Sequence, residues 1–546
     1  MFGRLWWPVV GILLLPSSML SQEPCARFPF RDVAEPSGVL FQHLNGAAGH
    51  KHLTETMGAG VAWLDYDGDG WLDLYLVQSG AYPPAGSAEA ANRLFRNLGD
   101  GRFEVAAGSG AEEQGYGQGV LAADFDGDGD TDLYLANVGP DTQLHNRGDG
   151  TFGPAPLPLP TGAANWASST AAADGDGDGD LDLYVVRYVD YDHQADLFCG
   201  DVETGERDYC DPSIFLGQAD RYLRNRGDGT FEEATVAARL DSSRGRGLGV
   251  LFVDLDDDGA ADLYVSNDLN LNLLYRNRGD GTFEDLTLLS GAGASSDGQV
   301  EAGMGVAIGD FDGDGDPDLA VSNFDVETNT FYLNHGELVF EDASASSGFG
   351  IPSFNRLGFG LAVADFDRDG YLDAYIANGH IYERPKRENV AYRQPDLLLA
   401  GDGRGGFAVQ PCPWLEVQPR VSRGAAAADF DNDGDVDLAI TNNNDEPSLL
   451  LNETGATGWL GVELVGKPPN TGAVGAKVEL QTTSGRQVRW VVAGQSYQSS
   501  ADRRLHFGLA DGKADRLEIR WPSGARQRVL VPPAGRYLRI AEAGER

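Results

Sequence analysis

Apolar residues along this chain come in short runs with a fixed neighbourhood. Runs such as "LDLYLV" at 72–77, "LDLYVV" at 181–186 and "VDLAIT" at 436–441 combine period-two alternation with β-branched and aromatic residues, so they predict strands. Each follows a tight Asp/Gly stretch, and before that stretch lies a glycine-containing apolar run: "GAGVAWLD", "GQGVLAAD", "GLGVLFVD", "GMGVAIGD" or "GFGLAVAD". After it comes a strand and hairpin such as "LFRNLGDGRFEV", "QLHNRGDGTF", "YLRNRGDGTFEEAT" or "LYRNRGDGTFEDLT". Four short strands per unit in seven units predict an all-β fold, a seven-bladed β-propeller spanning residues 26–455. Glycine-rich first strands suit the crowding near a central axis. "FRDVA" at 30–34 resembles the outer strands written "FEEAT", "FEDLT" and "FEDAS", and the last unit lacks such a strand. The N-terminal segment is therefore expected to complete the last blade and remove an open edge.

From about residue 457 the repeat gives way to short alternating runs between Gly, Pro and Asn turns, a small β domain over 457–546. These ninety residues hold 14 Lys and Arg against 8 Asp and Glu. Their net charge of +6 leaves −49 for the remainder of a chain whose total is −43. The asymmetry allows three arrangements: docking on the acidic propeller, an anionic ligand of its own, or solvated surface arginines.

With 546 residues, 41% of them hydrophobic, the chain can bury large cores and is no disordered acidic polymer. Its negative charge argues against binding nucleic acid or an anionic membrane surface. The first residues, "MFGRLWWPVVGILLLPSSMLSQEPC", carry Arg4, an apolar run to about Leu15 and small residues suited to cleavage near Ser21. That reads as a signal peptide over 1–21, shorter than a membrane span, and predicts a secreted, extracellular or periplasmic protein with no stable membrane insertion.

The Asp/Gly stretches carry the candidate chemistry. Their first, third, fifth and ninth positions are Asp in all seven copies, with Gly at the sixth, at spacings of 50 to 80 residues. Four carboxylates within nine positions, five in the copies that also have Asp at the seventh, repel one another unless a cation sits among them. The seventh position varies, which fits a ligand contributed by its backbone carbonyl. The proposed ligand sets are Asp65, Asp67, Asp69, Trp71 and Asp73; Asp124, Asp126, Asp128, Asp130 and Asp132; Asp174, Asp176, Asp178, Asp180 and Asp182; and Asp254, Asp256, Asp258, Ala260 and Asp262. The other three are Asp310, Asp312, Asp314, Asp316 and Asp318; Asp365, Asp367, Asp369, Tyr371 and Asp373; and Asp429, Asp431, Asp433, Asp435 and Asp437. With a water, each offers about six or seven hard oxygen ligands, which suits Ca²⁺ better than Mg²⁺, at about seven ions per chain. An EF-hand would need Glu at the twelfth position, which here is Leu76, Leu135, Val185, Val265, Val321, Ile376 or Ile440. In the third loop Gly175 replaces the usual aromatic or Leu at the second position, which predicts looser packing behind that loop.

Four cysteines in an exported chain favour disulfides, and Cys199 and Cys210 flank a polar insert that a bridge would pin. Whether Cys25 pairs with Cys412 is left open; the N-terminal strand's place beside the last blades is the only support for it. The RGD triplets at Arg147–Asp149, Arg226–Asp228 and Arg278–Asp280 correspond to Leu98, Gly99 and Asp100 in the first unit, so the constant feature is a Gly/Asp turn and the Arg is incidental. No HExxH, GxSxG, P-loop or CxxC pattern occurs, and no catalytic residue or organic cofactor is assigned. His43, His50 and His52 form a cluster and His380 lies in "NGH"; turn and surface roles are expected for them.

Together, "MGAGVAWLDYDGDGWLDLYLV", "NGHIY" followed by "QPDLLL", and the tail's "NTGAVGAKVEL", "GQSYQSSADRRLHFGL" and "IRWPSG" resemble FG-GAP/VCBS repeats with a C-terminal ASPIC/UnbV domain, the combination of the cartilage acidic protein family. The resemblance implies a calcium-loop propeller of the kind also found in integrin α subunits, and an extracellular matrix-type protein. The expected function is an exported calcium-binding scaffold, a monomer that holds an unknown protein or glycan. The alternative is a polysaccharide lyase or hydrolase working in the propeller channel.

Overall fold

A computed structural model describes residues 25–543 except 26, 83–89, 159–164, 196, 242–243, 386, 456–457, 484, 511–512 and 532. The leader segment at 1–21 lies outside the described residues. Among the described residues no helix is long and apolar enough to cross a membrane.

Seven four-stranded antiparallel sheets make up the larger part. The first is Val61–Leu64, Asp73–Leu76, Arg93–Asn97 and Phe103–Val105, and the next five repeat that order along the chain. The seventh takes Ser422–Ala428, Asp437–Asn442 and Ser448–Asn452 from the end of the repeat region and Phe30–Asp32 from its start, with Phe30 opposite Asn452 and Asp32 opposite Leu450. The first strand of each sheet lies against that of the next, and Ser422–Ala428 returns to Val61–Leu64, which closes a β-propeller. Glycine permits this proximity. A Cβ on Gly119 would meet the Ser168 carbonyl oxygen of the neighbouring blade at 2.3 Å, and one on Gly249 the Met304 oxygen at 2.2 Å. Two disulfides, Cys199–Cys210 and Cys25–Cys412, tie down the insert and the closing strand.

The C-terminal part pairs Gly458–Val465 antiparallel with Leu505–Leu509 and parallel with Arg536–Ala541. Above this lies the sheet Arg486–Trp490, Lys477–Thr482, Ala514–Arg520 and Arg526–Leu530. Leu460, Val478, Phe507 and Trp521 fill the space between the two sheets.

Between Trp490 and Leu505 the chain leaves this small domain and enters the propeller axis. Ala172 N–H donates to Ala493 O at 2.9 Å, Val120 N–H to Gln498 O at 3.0 Å and Trp63 N–H to Ser500 O at 3.0 Å. Ser496 N–H donates to Val306 O at 2.6 Å, Asp502 N–H to Ala427 O at 3.1 Å, and Leu361 N–H to Ser496 Oγ at 2.9 Å. These partners belong to the first strands of six different blades. Tyr497 is fully buried and packs edge-on against Phe359, 5.0 Å between ring centres. The channel that a catalytic reading would use is filled by the protein's own chain.

Candidate metal centres

Every Asp/Gly loop joins the first strand of a blade to its second, so all seven lie at one end of the propeller. The local folding follows from short-range bonds of carboxylates to backbone N–H groups. The first Asp accepts from the Gly at position six (Gly70 N to Asp65 Oδ2, 2.9 Å; Gly259 N to Asp254 Oδ2, 3.0 Å), and the fifth accepts from the seventh residue (Trp71 N to Asp69 Oδ1, 3.0 Å). The ninth Asp opens the second strand with both oxygens engaged. Asp73 accepts Tyr66 N–H at 3.1 Å and Asn97 N–H at 2.8 Å.

The carboxylates converge as the spacing requires. One ligand oxygen from each of Asp65, Asp67 and Asp73 lies within 4.8 Å of the others, and the same holds for Asp124, Asp126 and Asp128, for Asp174, Asp176 and Asp178, and for Asp254, Asp256 and Asp262. Oxygens remain in the loops with nothing to bond. Asp254 Oδ1 and Asp365 Oδ1, both first-position carboxylates, are buried with no hydrogen-bond partner. Hard oxygen donors left unpaired in this way fit a hard divalent cation. Burial, followed by repulsion between neighbours, drives several of these acids toward their neutral form: Asp73, Asp182 and Asp318 are pushed up to about 8 and Asp365 to about 7.

Two sets of residues around the loops escaped the sequence reading. The first is a base on the third strand of the first four blades, immediately before its Asn; the fifth and seventh blades have Leu333 and Leu451 there. Arg96 reaches Asp67 at 2.7 Å and Asp69 at 2.9 Å, Arg224 reaches Asp176 at 2.9 Å and Arg276 reaches Asp256 at 2.8 Å, with His145 at 3.1 Å from Asp126 in the second blade. In the sixth blade the equivalent residue is Ala400, and Arg27 from the N-terminal segment pairs with Asp367 and Asp369 instead. The signal of the third-strand bases in the sequence is the "RN" or "HN" that precedes the Gly/Asp turn.

The second set is that Asn itself. Asn225 Nδ2 donates to Leu181 O of its own loop at 3.0 Å and to Phe125 O of the preceding blade's loop at 2.7 Å. Asn97, Asn146, Asn277, Asn334 and Asn452 repeat the pattern, so each links two adjacent loops. Where Gly401 stands in the sixth blade, Gly405 N–H reaches Phe311 O at 2.9 Å in its place. Asn277→Ala removes the bonds to Gly175 O and Ala261 O and leaves buried acceptors unpaired. It is expected to cost about 1–3 kcal/mol in denaturant unfolding, with the far-ultraviolet circular dichroism of the folded protein unchanged.

The expectation of looser packing behind the third loop is not met. A Cβ on Gly175 would meet Tyr222 Oη at 2.5 Å and Phe252 Cζ at 2.8 Å, because those rings occupy the space of the missing side chain. The Tyr222 hydroxyl donates to Asp182 there.

Of the histidines, His43 is buried between Ser79 Oγ at 3.2 Å and Asn444 N–H at 3.0 Å, and burial pushes it down to about 3, so it is a neutral core residue. His380 Nδ1 accepts Tyr382 N–H at 2.9 Å. His52 meets His193, which precedes the Cys199–Cys210 insert, 4.8 Å between rings, a partner no spacing rule indicates. The three RGD triplets adopt the turn of Leu98–Asp100, and Asp149, Asp228 and Asp280 bond their own Thr residues within it.

The docked C-terminal domain answers the charge asymmetry. Lys477 Nζ lies 3.1 Å from Asp257, Arg520 2.9 Å from the same carboxylate, and Arg504 Nη2 donates to Asp429 O at 2.7 Å. It also bonds the Oδ2 of the first-position Asp in four loops: Thr471 to Asp124, Arg520 to Asp254 at 2.5 Å, Gly508 N–H to Asp365 at 3.0 Å and Tyr537 to Asp429 at 2.8 Å.

The FG-GAP-like repeat pattern matches residues 65–135, 124–185, 189–265, 254–321 and 310–376, more than half of the chain. The chain belongs to the FG-GAP-like repeat family. Residues 466–546 of this FG-GAP-like protein match the ASPIC and UnbV family. Cartilage acidic protein 1 of Xenopus tropicalis is 29% identical over 448 residues, 76% of this chain and 62% of the relative. Its Mus musculus counterpart is 29% identical over 488 residues, 85% of this chain and 70% of the relative. The chain thus spans less than two thirds of the first of these relatives. An Agrocybe aegerita lectin, described as recognising non-reducing terminal N-acetylglucosamine, aligns with a TM-score of 0.40 at 19% identity over 66% of this chain and 82% of its own.

Proposed function

We propose that this FG-GAP-like protein is an exported calcium-binding scaffold, extracellular or periplasmic, that presents a β-propeller and a docked C-terminal domain to a glycan or protein ligand. The supporting observation is the set of converging, partly unbonded carboxylates repeated around one end of the ring. In each loop the Asp side chains at positions one, three, five and nine and the carbonyl at seven would hold Ca²⁺, which supplies the positive charge that offsets their repulsion. Third-strand bases such as Arg96 restrain the third and fifth carboxylates from outside. Two disulfides and relatives named for cartilage support a place outside the reducing cytosol. The enzymatic alternative finds its channel filled by residues 493–500.

Trp71, at the seventh position of the first loop, and Trp459, whose indole lies against Gly434 of the seventh, provide a probe. Terbium added to the calcium-stripped protein is expected to luminesce on tryptophan excitation and to be displaced by calcium, with Trp71→Phe and Trp459→Phe each removing part of the signal. Luminescence that calcium does not displace would reject the loops as calcium sites.

A further inference from the structure

A cavity of about 200 Å³ lies at the propeller end away from the Asp/Gly loops, between the Leu53–Thr56 turn and the starts of the first strands of the fourth to sixth blades. Its walls are apolar: Met57, Leu248, Met304, Leu357 and Phe359 are all buried. Into these walls are set three acids and no base. Asp268 is more than nine-tenths buried, Glu327 is half-buried, and Asp211, from beside the Cys199–Cys210 bridge, stands exposed at the edge.

Their bonds leave charge unanswered. Asp268 Oδ2 accepts the Tyr188 hydroxyl at 2.5 Å, and Glu327 Oε2 accepts Ala302 N–H at 2.8 Å. Among the described residues no Lys, Arg or His lies within ion-pair distance of either carboxylate. Arg246 is the nearest base to influence Asp268, but its guanidinium is held by Asn270 Oδ1 at 2.9 Å and by Phe215 O at 3.1 Å. His380 and Arg387 face Asp325 instead, at 3.8 and 3.7 Å. Burial pushes Asp268 up to about 6 and Glu327 to about 7, and each feels the repulsion of another carboxylate.

From these features follow the charge and shape of an occupant. An anion would be repelled, and a sugar would find too few polar partners on walls of Met, Leu and Phe. A small aromatic body fits, since a cavity of about 150 Å³ already takes benzene. A protonated amine on that body would donate to carboxylates that have acceptor capacity to spare. We propose that this cavity is a binding site for a primary ammonium group carried on an apolar body, alkyl or aralkyl, with Asp268 and Glu327 as its counter-charges and Met304 and Phe359 as its apolar seat. That chemistry is offered by a free aralkylamine and, with an aliphatic body, by a lysine side chain.

The test uses the full chain in saturating calcium at pH 8, with phenethylamine, 2-phenylethanol, phenylacetate and N-acetyl-lysine methylamide as probes in calorimetric titration. Phenethylamine is expected to bind at least tenfold more tightly than the alcohol or the acid, to weaken about tenfold in Asp268→Asn and Glu327→Gln, and to be lost in Met304→Trp, which fills the cavity. Binding of the lysine probe as tightly as phenethylamine would assign the site to a lysine side chain; weaker binding would assign it to the free amine. Both results support the ammonium site. Equal binding of phenethylamine and 2-phenylethanol would overturn it, as would amine binding that survives in a folded Met304→Trp protein. Native circular dichroism of each variant separates lost binding from lost folding, and Glu327→Gln, at a half-buried position, retains the test if Asp268→Asn does not fold.

Discussion

Chelation of calcium is expected to lower the thermal unfolding midpoint of the protein by tens of degrees. An ion that binds only the folded chain stabilises it by about 2.7 kcal/mol at a hundredfold excess over its dissociation constant. Three filled loops would then contribute as much as the whole net stability of an ordinary domain, which is about 5–15 kcal/mol. Without the ion the loops hold carboxylates within 4.8 Å of one another, several of them buried with unbonded oxygens. Repulsion and desolvation there act directly on the loop that joins the first two strands of every blade, and the Asn links pass the disturbance to the neighbouring loop. Scanning calorimetry with calcium and with a chelator, each scan checked for reversibility, measures the shift. Identical curves would mean that the carboxylates are neutralised in some other way.

Removal of the C-terminal domain after Thr454 is expected to have the next largest effect, and to show itself in two ways. The axis loses the segment that bonds Trp63, Val120 and Ala172 and seats Tyr497, so the truncated propeller should unfold at least about 10 °C earlier in saturating calcium. Calcium binding should also divide. The loops headed by Asp124, Asp254, Asp365 and Asp429 lose a donor that positions their first carboxylate, whereas those headed by Asp65, Asp174 and Asp310 lose none of these four contacts. Titration should therefore give two affinity classes in the truncated protein, the weaker holding four ions. Tyr497→Ala separates the two contributions: it should cost about 3–5 kcal/mol as a buried aromatic truncation while the four carboxylate contacts persist. A truncated chain with unchanged stability and a single affinity would show the domain to be a passive appendage.

The blades were legible because each is written out. The Asp/Gly loops, the alternating second strands and the "FEEAT" outer strands recur in recognisable form, and "FRDVA" carries enough of that text to reveal that Phe30–Asp32 pairs with Ser448–Asn452. The axial segment was illegible for the opposite reason. "AGQSYQSSA" is short, small and polar, and it is held mainly through backbone groups and serine hydroxyls, which leave no periodicity. Charge asymmetry raised docking as one of three possibilities, but only the structure shows Arg520 on Asp254 and Lys477 on Asp257. Arg96, Arg224, Arg276 and the Asn after each stood in plain view, yet their partners are loop residues that come close only once the blade is folded and, for the Asn, once the ring closes. Gly175 misled because an empty position in one segment can be filled by another, here Tyr222 and Phe252.

The most direct test of the scaffold is a count of the metal. Protein purified without chelator, exchanged into metal-free buffer and analysed by atomic emission is predicted to retain calcium at about seven ions per chain, the number of complete ligand sets. A folded protein with no calcium, and none taken up on titration to millimolar concentration, would contradict the account.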